Sequence, residues 1–321
     1  MPRYLSQLQS AWWRFWWGKV DPRPLAAVRI AMATAAIVLH LTWWSDVEAL
    51  LAHDGLSRLV VDLPAGRGLT IFALPFAEAI GAHLLHALTL LPLLGLLLGW
   101  KSRWMALLSW LVVLGWYQRV PGASTGGDRL LRYALFYLSL GNCGGAWSVD
   151  ARSKSSKTIP VLPLRLIQVQ WAAMYALGGF DKAAGSRWMD GTALHYALSN
   201  LTFARAPELI APLVSSAMWV PVFKGTTWVV LAWELLFPLL VLHRTSRRVA
   251  LIIGVVVHLG IGFTMSVGPF TSVTLLGYLA FLDGGGWKGS IRHPRQESCN
   301  PPGDSAQDTP DPSGQPPIFS S

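Results

Sequence analysis

The amino-acid sequence predicts an all-α integral membrane protein, a polytopic bundle of about eight transmembrane helices with both termini in the cytoplasm. The first observation is composition: 52% of the 321 residues are hydrophobic and only 13% are charged, whereas a soluble domain carries about 25% charged residues. The second is a series of apolar runs close to the length of about 20 residues that spans a bilayer. The third is that Lys and Arg concentrate in alternate loops, as is typical of cytoplasmic loops.

The apolar runs predict eight spans, which lie at residues 25–42, 82–98, 104–117, 130–140, 164–180, 226–242, 249–265 and 270–282. The fourth and the eighth are short, so we expect them to be tilted, shielded by neighbours or only partly spanning. A further stretch near residues 69–76 has the composition of a re-entrant or interfacial segment.

The segments outside the spans define the domain organisation. Residues 1–20 mix aromatic pairs with basic and polar residues, which predicts an amphipathic helix in the membrane interface. Residues 21–283 form the predicted transmembrane domain. Residues 284–321 are rich in Pro, Gly and Ser and cannot bury a core, so we expect a disordered cytoplasmic tail and no second folded domain there.

The basic excess, a net charge of +9, follows from membrane orientation. The basic loops begin at residues 101, 152 and 244, and the tail adds more Lys and Arg. The positive-inside rule then predicts a membrane protein with both termini in the cytoplasm, whose partner is the lipid bilayer, so no nucleic acid is needed to explain the charge. The two cysteines, Cys143 and Cys299, have no CxxC spacing and indicate neither a disulfide nor a metal framework.

One stripe of polar residues marks the predicted working interior. Gln168, Tyr175 and Lys182 recur at heptad spacing on the fifth span and should face protein or a watery cavity. Gly178 and Gly179 beside them let a neighbouring backbone approach closely. The predicted topology puts Lys182 at the outer end of its span. There it is either a lysine that snorkels to the interface or a desolvated amine that acts as a base, and the adjacent Asp181 opposes base chemistry.

Two ionisable residues lie in the middle of later spans. Glu234 and His258 sit at comparable depth on consecutive antiparallel spans, so a hydrogen bond between them is geometrically open. Ionisable groups at that depth are expensive and need partners. The two residues could form a purely structural pair or line a functional cavity. The cavity is favoured, because ionisable residues within a membrane usually mark functional sites.

The remaining polar candidates have simpler interpretations. Asp128 precedes an apolar run and is predicted to be a helix N-cap. A functional role for Asp128 is the secondary interpretation. Asp150 is interpreted as a turn or cap residue. Four histidines cluster toward the outer side, at positions 40, 53, 83 and 86. No HExxH or comparable pattern accompanies them, so interfacial histidines are favoured over a metal site.

Five segments in order resemble one family: VDPRPLAAVRI, GGDRLL, AWSVDARSK, LIQVQWAAMYALGGFDKAAGSRWMDGTALHYAL and WELLFPLLVLHRTSRRVA. Together they resemble the horizontally transferred transmembrane (HTTM) domain, the membrane domain of vitamin K-dependent gamma-carboxylase and its bacterial relatives, over roughly residues 20–282. In the carboxylase, a lysine deprotonates reduced vitamin K at the lumenal face, and the resulting base removes a glutamyl γ proton before carbon dioxide adds. By position, Lys182 matches that lysine, His258 a late-span histidine and Asp150 the aspartate of the SVD segment.

The resemblance implies a reduced, vitamin K-like quinone as cofactor and a peptide as possible substrate. The expected catalytic residues are Lys182, Glu234 and His258, and the expected ligand-binding residues are Gln168, Tyr175, Trp188 and Asp128. Three departures weaken the transfer of carboxylation. Asp181 replaces a second lysine, the interval from Lys182 to Trp188 is one residue longer, and a predicted disordered tail stands where the carboxylase has a large extramembrane portion.

Two functions from different classes follow. The first is a quinol-dependent membrane enzyme with Lys182 as general base and with Glu234 and His258 lining the cavity. The second is a non-catalytic membrane helper or maturation factor that works with a peptide or redox partner. A transporter is a weaker third, because no inverted repeat or pair of broken helices is evident in the sequence.

Overall fold

The computed structural model describes residues 2–51, 81–119, 124–153 and 157–282. These residues are predominantly helical, and one short antiparallel pair of strands, β1 (Lys19–Val20) and β2 (Ile159–Pro160), joins them. Single 3₁₀ turns lie at Trp44–Asp46, Ala217–Trp219 and Tyr278–Phe281. The described α-helices are α1 (Pro2–Trp17), α2 (Arg23–Thr42), α3 (Val47–Leu51), α4 (Ala82–Leu98), α5 (Ser102–Arg119), α6 (Gly126–Ser139), α7 (Val149–Ser153), α8 (Leu162–Ala183), α9 (Ser186–Met189), α10 (Ala193–Ser199), α11 (Pro207–Ser215), α12 (Val220–Leu240), α13 (Arg244–Thr264) and α14 (Phe270–Gly277).

Every one of the predicted apolar runs coincides with a helix, so the helical fold class is confirmed. Among the described residues, three helices are long and apolar enough to cross a membrane by length and composition: Arg23–Thr42, Ala217–Leu240 and Arg244–Thr264. Two shorter apolar helices, Ala82–Leu98 and Phe270–Phe281, accompany them. The count of eight spans and the cytoplasmic termini stay predictions. The stretch near residues 69–76, His53 and the tail at 284–321 lie outside the described residues.

The strand pair fixes the direction of two helices. Lys19 pairs with Pro160 and Val20 with Ile159, immediately before α2 and α8 begin. The two helices therefore start side by side, and Arg29 and Asp150 lie at this end, which we call the sheet end. The C-terminus of α8, with Lys182, defines the opposite or lysine end. The N-terminal helix α1 docks at the sheet end, where the Arg165 guanidinium lies 4.6 Å from the ring centroid of Phe15.

A buried arginine joins three segments at the sheet end. The Arg29 side chain is fully buried and donates hydrogen bonds to the carbonyls of Leu96 (2.6 Å), Leu97 (2.7 Å), Cys143 (3.1 Å) and Trp147 (2.6 Å). The first two carbonyls belong to the last turn of α4, where the helix leaves its own acceptors unpaired and a cation is favourable. Arg29 therefore contributes to the fold, with four of its donors used on backbone.

Asp150 caps a helix that is distant in sequence. Its carboxylate accepts hydrogen bonds from the backbone amides of Lys101 and Ser102, each 2.8 Å long, and from the Ser102 hydroxyl at 2.6 Å. The cap interpretation is thus right, but the capped helix is α5. Burial alone would raise the pKa of Asp150; the hydrogen bonds from Ser102 and Lys101 and the charge of Arg29 outweigh it and lower that pKa.

The middle of the bundle is packed around α8. The indole of Trp171 is fully buried and donates to the carbonyl of Thr274 at 3.0 Å. Gly277 makes this possible, because a Cβ at that position would overlap the indole ring. Gly179 has a similar role against α12, since a Cβ there would lie 3.0 Å from the Leu235 side chain. Close helix approach through glycine is common in membrane bundles.

Candidate functional site

An ion pair between α8 and α12 is the most chemically distinctive feature of the lysine end. Lys182 Nζ lies 2.6 Å from Glu234 Oε2 and 2.8 Å from Oε1. The lysine side chain is 31% exposed, and the glutamate side chain is only 12% exposed. Short contacts between ionised groups of this kind are among the stronger hydrogen bonds in proteins. The close approach of the two helices at Gly179 brings the glutamate within reach of the lysine.

The predicted ligand-binding residue Trp188 also adjoins this pair. It lies on α9, directly after α8, and its ring centroid is 5.3 Å from Lys182 Nζ. A cation at that distance is attracted by the indole face. Lys182 thus combines features of both interpretations: it is partly exposed at a helix end, and it is partnered by a nearly buried carboxylate. The partner is Glu234 and not the adjacent Asp181.

A second polar group lies about two turns from Lys182 along α8, toward the sheet end. The Tyr175 hydroxyl is 2.8 Å from His258 Nε2 and 2.5 Å from the Tyr278 hydroxyl. The rings of Trp233 and Phe237 pack against Tyr175, with centroids 4.7 and 4.4 Å away. His258 Nδ1 is buried and has no hydrogen-bond partner within the described part of the chain. The suggested hydrogen bond between Glu234 and His258 is wrong. Glu234 instead pairs with Lys182, and His258 contacts Tyr175.

Gln168, Tyr175 and Lys182 therefore lie along one face of α8, as predicted, but they belong to separate hydrogen-bonded groups. At the sheet end, the Gln168 amide donates to the Ala280 carbonyl at 2.6 Å and accepts from Arg165 Nη1 at 2.7 Å. These contacts tie α8 to the last 3₁₀ turn and keep Gln168 apart from the ion pair. Tyr278 was not among the predicted site residues. The sequence does place its hydroxyl within an apolar run, where a hydroxyl needs a hydrogen-bond partner, and this feature could have identified it.

Asp128 occupies a different position from the one predicted. It is the third residue of α6 and not its N-cap, which is Thr125. The two residues form a capping box, in which Asp128 Oδ2 accepts from the Thr125 amide (2.6 Å) and hydroxyl (2.7 Å). The other carboxylate oxygen accepts from the buried Tyr117 hydroxyl. Asp128 therefore stabilises the start of α6, and its hydrogen bonds do not include the Lys182 group.

Two of the outer histidines are core residues, so their interfacial interpretation is wrong. His40 and His86 are fully buried. His86 Nε2 contacts the His40 carbonyl at 2.9 Å, and Trp116 Nε1 donates to His86 Nδ1 at 3.1 Å. His83 remains partly exposed, 3.3 Å from a carboxylate oxygen of Glu48. Within the described ranges no three His, Cys, Asp or Glu side chains are arranged to hold a metal ion.

Comparison with known proteins gives a family and one relative. A family model for the HTTM domain matches residues 19–285. The sporulation-delaying protein SdpB of Bacillus subtilis (strain 168) is 24% identical over 204 residues, which is 59% of this chain and 61% of that protein. The match thus spans about three fifths of the relative's length. No solved structure matches the chain.

Proposed function

The chain belongs to the HTTM domain family, and from that premise we propose that it is a multi-pass inner-membrane enzyme in which Lys182 and Glu234 form an acid–base site. The ligand in this proposal is a lipid-soluble hydroquinone, and Lys182 is the general base. The observation that carries the proposal is the ion pair itself, two strongly polar groups at a helix contact in an apolar bundle. Intramembrane ionisable residues are expensive and mark functional sites by default.

The proposed topology has about eight spans and cytoplasmic termini. Its support is the distribution of basic residues, which favours the sheet end as the cytoplasmic side. The loops at residues 101–103 and 244–248 and the segment before α2 all lie at that end, because α5, α13 and α2 begin there. Lys182 is then on the outer side, where the resemblance also expects the reactive lysine.

The ion pair gives Lys182 a route to a neutral amine. Transfer of one proton from Nζ to Oε2 breaks an N–H bond, forms an O–H bond and leaves a lone pair on Nζ. The short Nζ–Oε2 distance of 2.6 Å makes this a local transfer with no change in net charge.

The surroundings of the pair fit an amphipathic aromatic ligand. Trp188 offers a ring face beside Lys182 Nζ. Lys182 and Glu234 would hold the hydroxyl groups of a hydroquinone, and Trp188 would stack on its ring. Such a cofactor, when bound, supplies an ionisable hydroxyl and two reducing equivalents.

Binding of a soluble hydroquinone tests this proposal. Reduced menadione is titrated against protein in nanodiscs, and binding is followed by tryptophan fluorescence under anaerobic conditions. The proposal expects saturable binding that weakens about tenfold, the factor produced by about 1.4 kcal/mol, in both Lys182→Met and Glu234→Gln. Lys224→Met is the matched control, because Lys224 is a half-buried lysine on α12 that does not contact the pair.

Equal affinity in all four proteins would remove the ion pair from the ligand site. The absence of any saturable binding would favour the second candidate, a non-catalytic helper of a peptide or redox partner. The specific observation behind that candidate is that Glu234 already neutralises the lysine charge. Thiol–disulfide exchange would need a partner's thiols, because Cys143 and Cys299 form no CxxC pair and burial raises the pKa of Cys143 to about 12.

A further inference from the structure

We propose that residues 184–219, which we call the connector, lie within the boundary between lipid headgroups and hydrocarbon at the lysine end. The connector joins α8 to α12 and contains α9, α10 and α11. In this position it makes the Lys182–Glu234 pair accessible from the lipid phase. The location is argued from the connector alone, and its consequence for the ligand's route rests on the proposed function.

The helices of the connector are too short to cross a bilayer. They have four, seven and nine residues, so the longest is about 13 Å at 1.5 Å per residue. A hydrocarbon core is about 30 Å thick. None of the three helices can therefore cross the bilayer by itself.

The exposed surface of the connector carries many large apolar side chains. Leu201, Leu209 and Met218 are 77%, 72% and 73% exposed, although they are among its most hydrophobic residues. Other exposed large apolar side chains of the connector are Met189, Tyr196, Phe203 and Leu213. Large apolar side chains exposed in this number within one short segment indicate contact with a membrane or a protein.

Hydrogen bonds hold the connector against α12 and against the residues that follow α13. The Trp228 indole donates to the Met189 carbonyl at 3.1 Å, and the Ser266 amide donates to the Phe203 carbonyl at 2.7 Å. The spans themselves, α12 and α13, expose large apolar residues beside these contacts, among them Phe263 at 77%. The apolar surface of the connector therefore continues the surface that α12 and α13 present to lipid.

The charge of the connector also favours lipid over a soluble protein partner. Its ionisable residues apart from His195 are Arg187, Asp190, Arg205 and Glu208, two of each sign, so no net charge attracts a partner of the opposite sign. The Arg187 guanidinium lies 4.0 Å from the Tyr196 ring centroid. Tyrosine and arginine together are typical of the headgroup level of a membrane.

The connector begins two residues after Lys182, and its Trp188 contacts that lysine. Glu234 lies 14 residues after Val220, the first residue of α12, which is about 21 Å along the helix axis. An inserted connector therefore leaves the ion pair on the hydrocarbon side of the headgroups, where a lipid-soluble ligand reaches it by lateral diffusion. Water-soluble anions would reach the site poorly.

Depth measurement by fluorescence quenching tests the location. Single cysteines replace Leu201, Leu209 or Met218 in a Cys143→Ala, Cys299→Ser background, and each is labelled with an environment-sensitive fluorophore in liposomes. Arg152→Cys is the control, because Arg152 is exposed on α7 at the sheet end. We expect brominated lipids to quench the three connector labels several-fold more strongly than the control, and aqueous iodide to quench them less.

Iodide quenching equal to that of the control would overturn the inference. Protection from both quenchers would also overturn it, since a protein would then cover the patch, and a dependence of that protection on the protein-to-lipid ratio would identify a second copy. A size-exclusion profile of each variant shows whether it is folded. Because three positions are labelled, the test does not depend on any single variant. The quenching measurement needs no ligand, so its outcome is independent of the proposed function. If iodide quenches the connector labels while hydroquinone binding is intact, only the location of the connector is rejected. If brominated lipids quench the labels but no hydroquinone binds, only the proposed function is rejected.

Discussion

Replacing Lys182 by methionine removes the ammonium that Glu234 contacts at 2.6 and 2.8 Å and keeps most of the side-chain volume. The carboxylate left behind is only 12% exposed, and within the described residues no other cation contacts it. The opposite change, Glu234→Gln, leaves an ammonium on a helix end, where a lysine can turn toward the interface. We therefore expect the two substitutions to lower the free energy of unfolding by different amounts.

The structure sets the size of the effect. Breaking a buried pair by removal of one partner costs about 3–5 kcal/mol, whereas an exposed pair contributes about 0–1 kcal/mol. With a lysine that is 31% exposed, the pair lies between these limits. We expect the free energy of unfolding to fall by about 2 kcal/mol for Lys182→Met and by about 1 kcal/mol for Glu234→Gln. The double variant should lose less than the sum, with a coupling of about 1 kcal/mol.

The assay is reversible unfolding of the detergent-solubilised protein by titration with sodium dodecyl sulfate, followed by tryptophan fluorescence. Lys224→Met serves as the matched control and should change the free energy of unfolding by less than about 0.5 kcal/mol. Additive single-variant effects would show that the two charges do not interact. An equal or larger loss for Glu234→Gln would refute the argument that the stranded carboxylate dominates.

Three other predictions follow from single contacts. Tyr175→Phe removes the hydroxyl between the buried histidine and tyrosine and should lower the free energy of unfolding by about 1–2 kcal/mol in the same titration; no loss would contradict that hydrogen-bonded arrangement. Gly277→Ala should cost about 1–3 kcal/mol because its methyl group meets the buried indole, whereas Gly260→Ala, with open space around it, should be neutral or stabilising, and similar losses would contradict the packing. The lowered pKa of Asp150 means that its stabilisation is complete above the unfolded pKa of about 3.9 and is lost as pH falls through the folded pKa. Asp150→Asn should therefore unfold with less dependence on pH below about pH 5, and an unchanged acid-unfolding curve would contradict the role of its charge.

The helices were predictable because an apolar run in a membrane has few alternatives to a helix. Each run matches one, although the structure extends α12 at its start and divides the last run into α14 and a 3₁₀ turn. The heptad spacing of Gln168, Tyr175 and Lys182 also identified one helix face correctly. These successes depend on local composition and spacing, which a single sequence records.

The pairing of side chains between helices was not predictable in the same way. Sequence position gives the depth of Glu234 and His258 in the bundle but not the rotation of their helices about their own axes. Their suggested hydrogen bond failed for that reason, because α12 turns its glutamate toward α8. Asp128 was misassigned by three residues, since the Thr125 cap and the Tyr117 contact depend on a turn and a neighbouring helix.

Lipid that co-purifies with the protein gives the sharpest test of a quinone site at the Lys182–Glu234 pair. The protein is purified from membranes in mild detergent, and its lipid extract is analysed by mass spectrometry for quinones, in the wild type, Lys182→Met, Glu234→Gln and Lys224→Met. We expect a quinone in near-stoichiometric amount in the wild type and in Lys224→Met, and its loss from both ion-pair variants. No quinone in the wild type, or equal amounts in all four proteins, would rule out a quinone site at this pair.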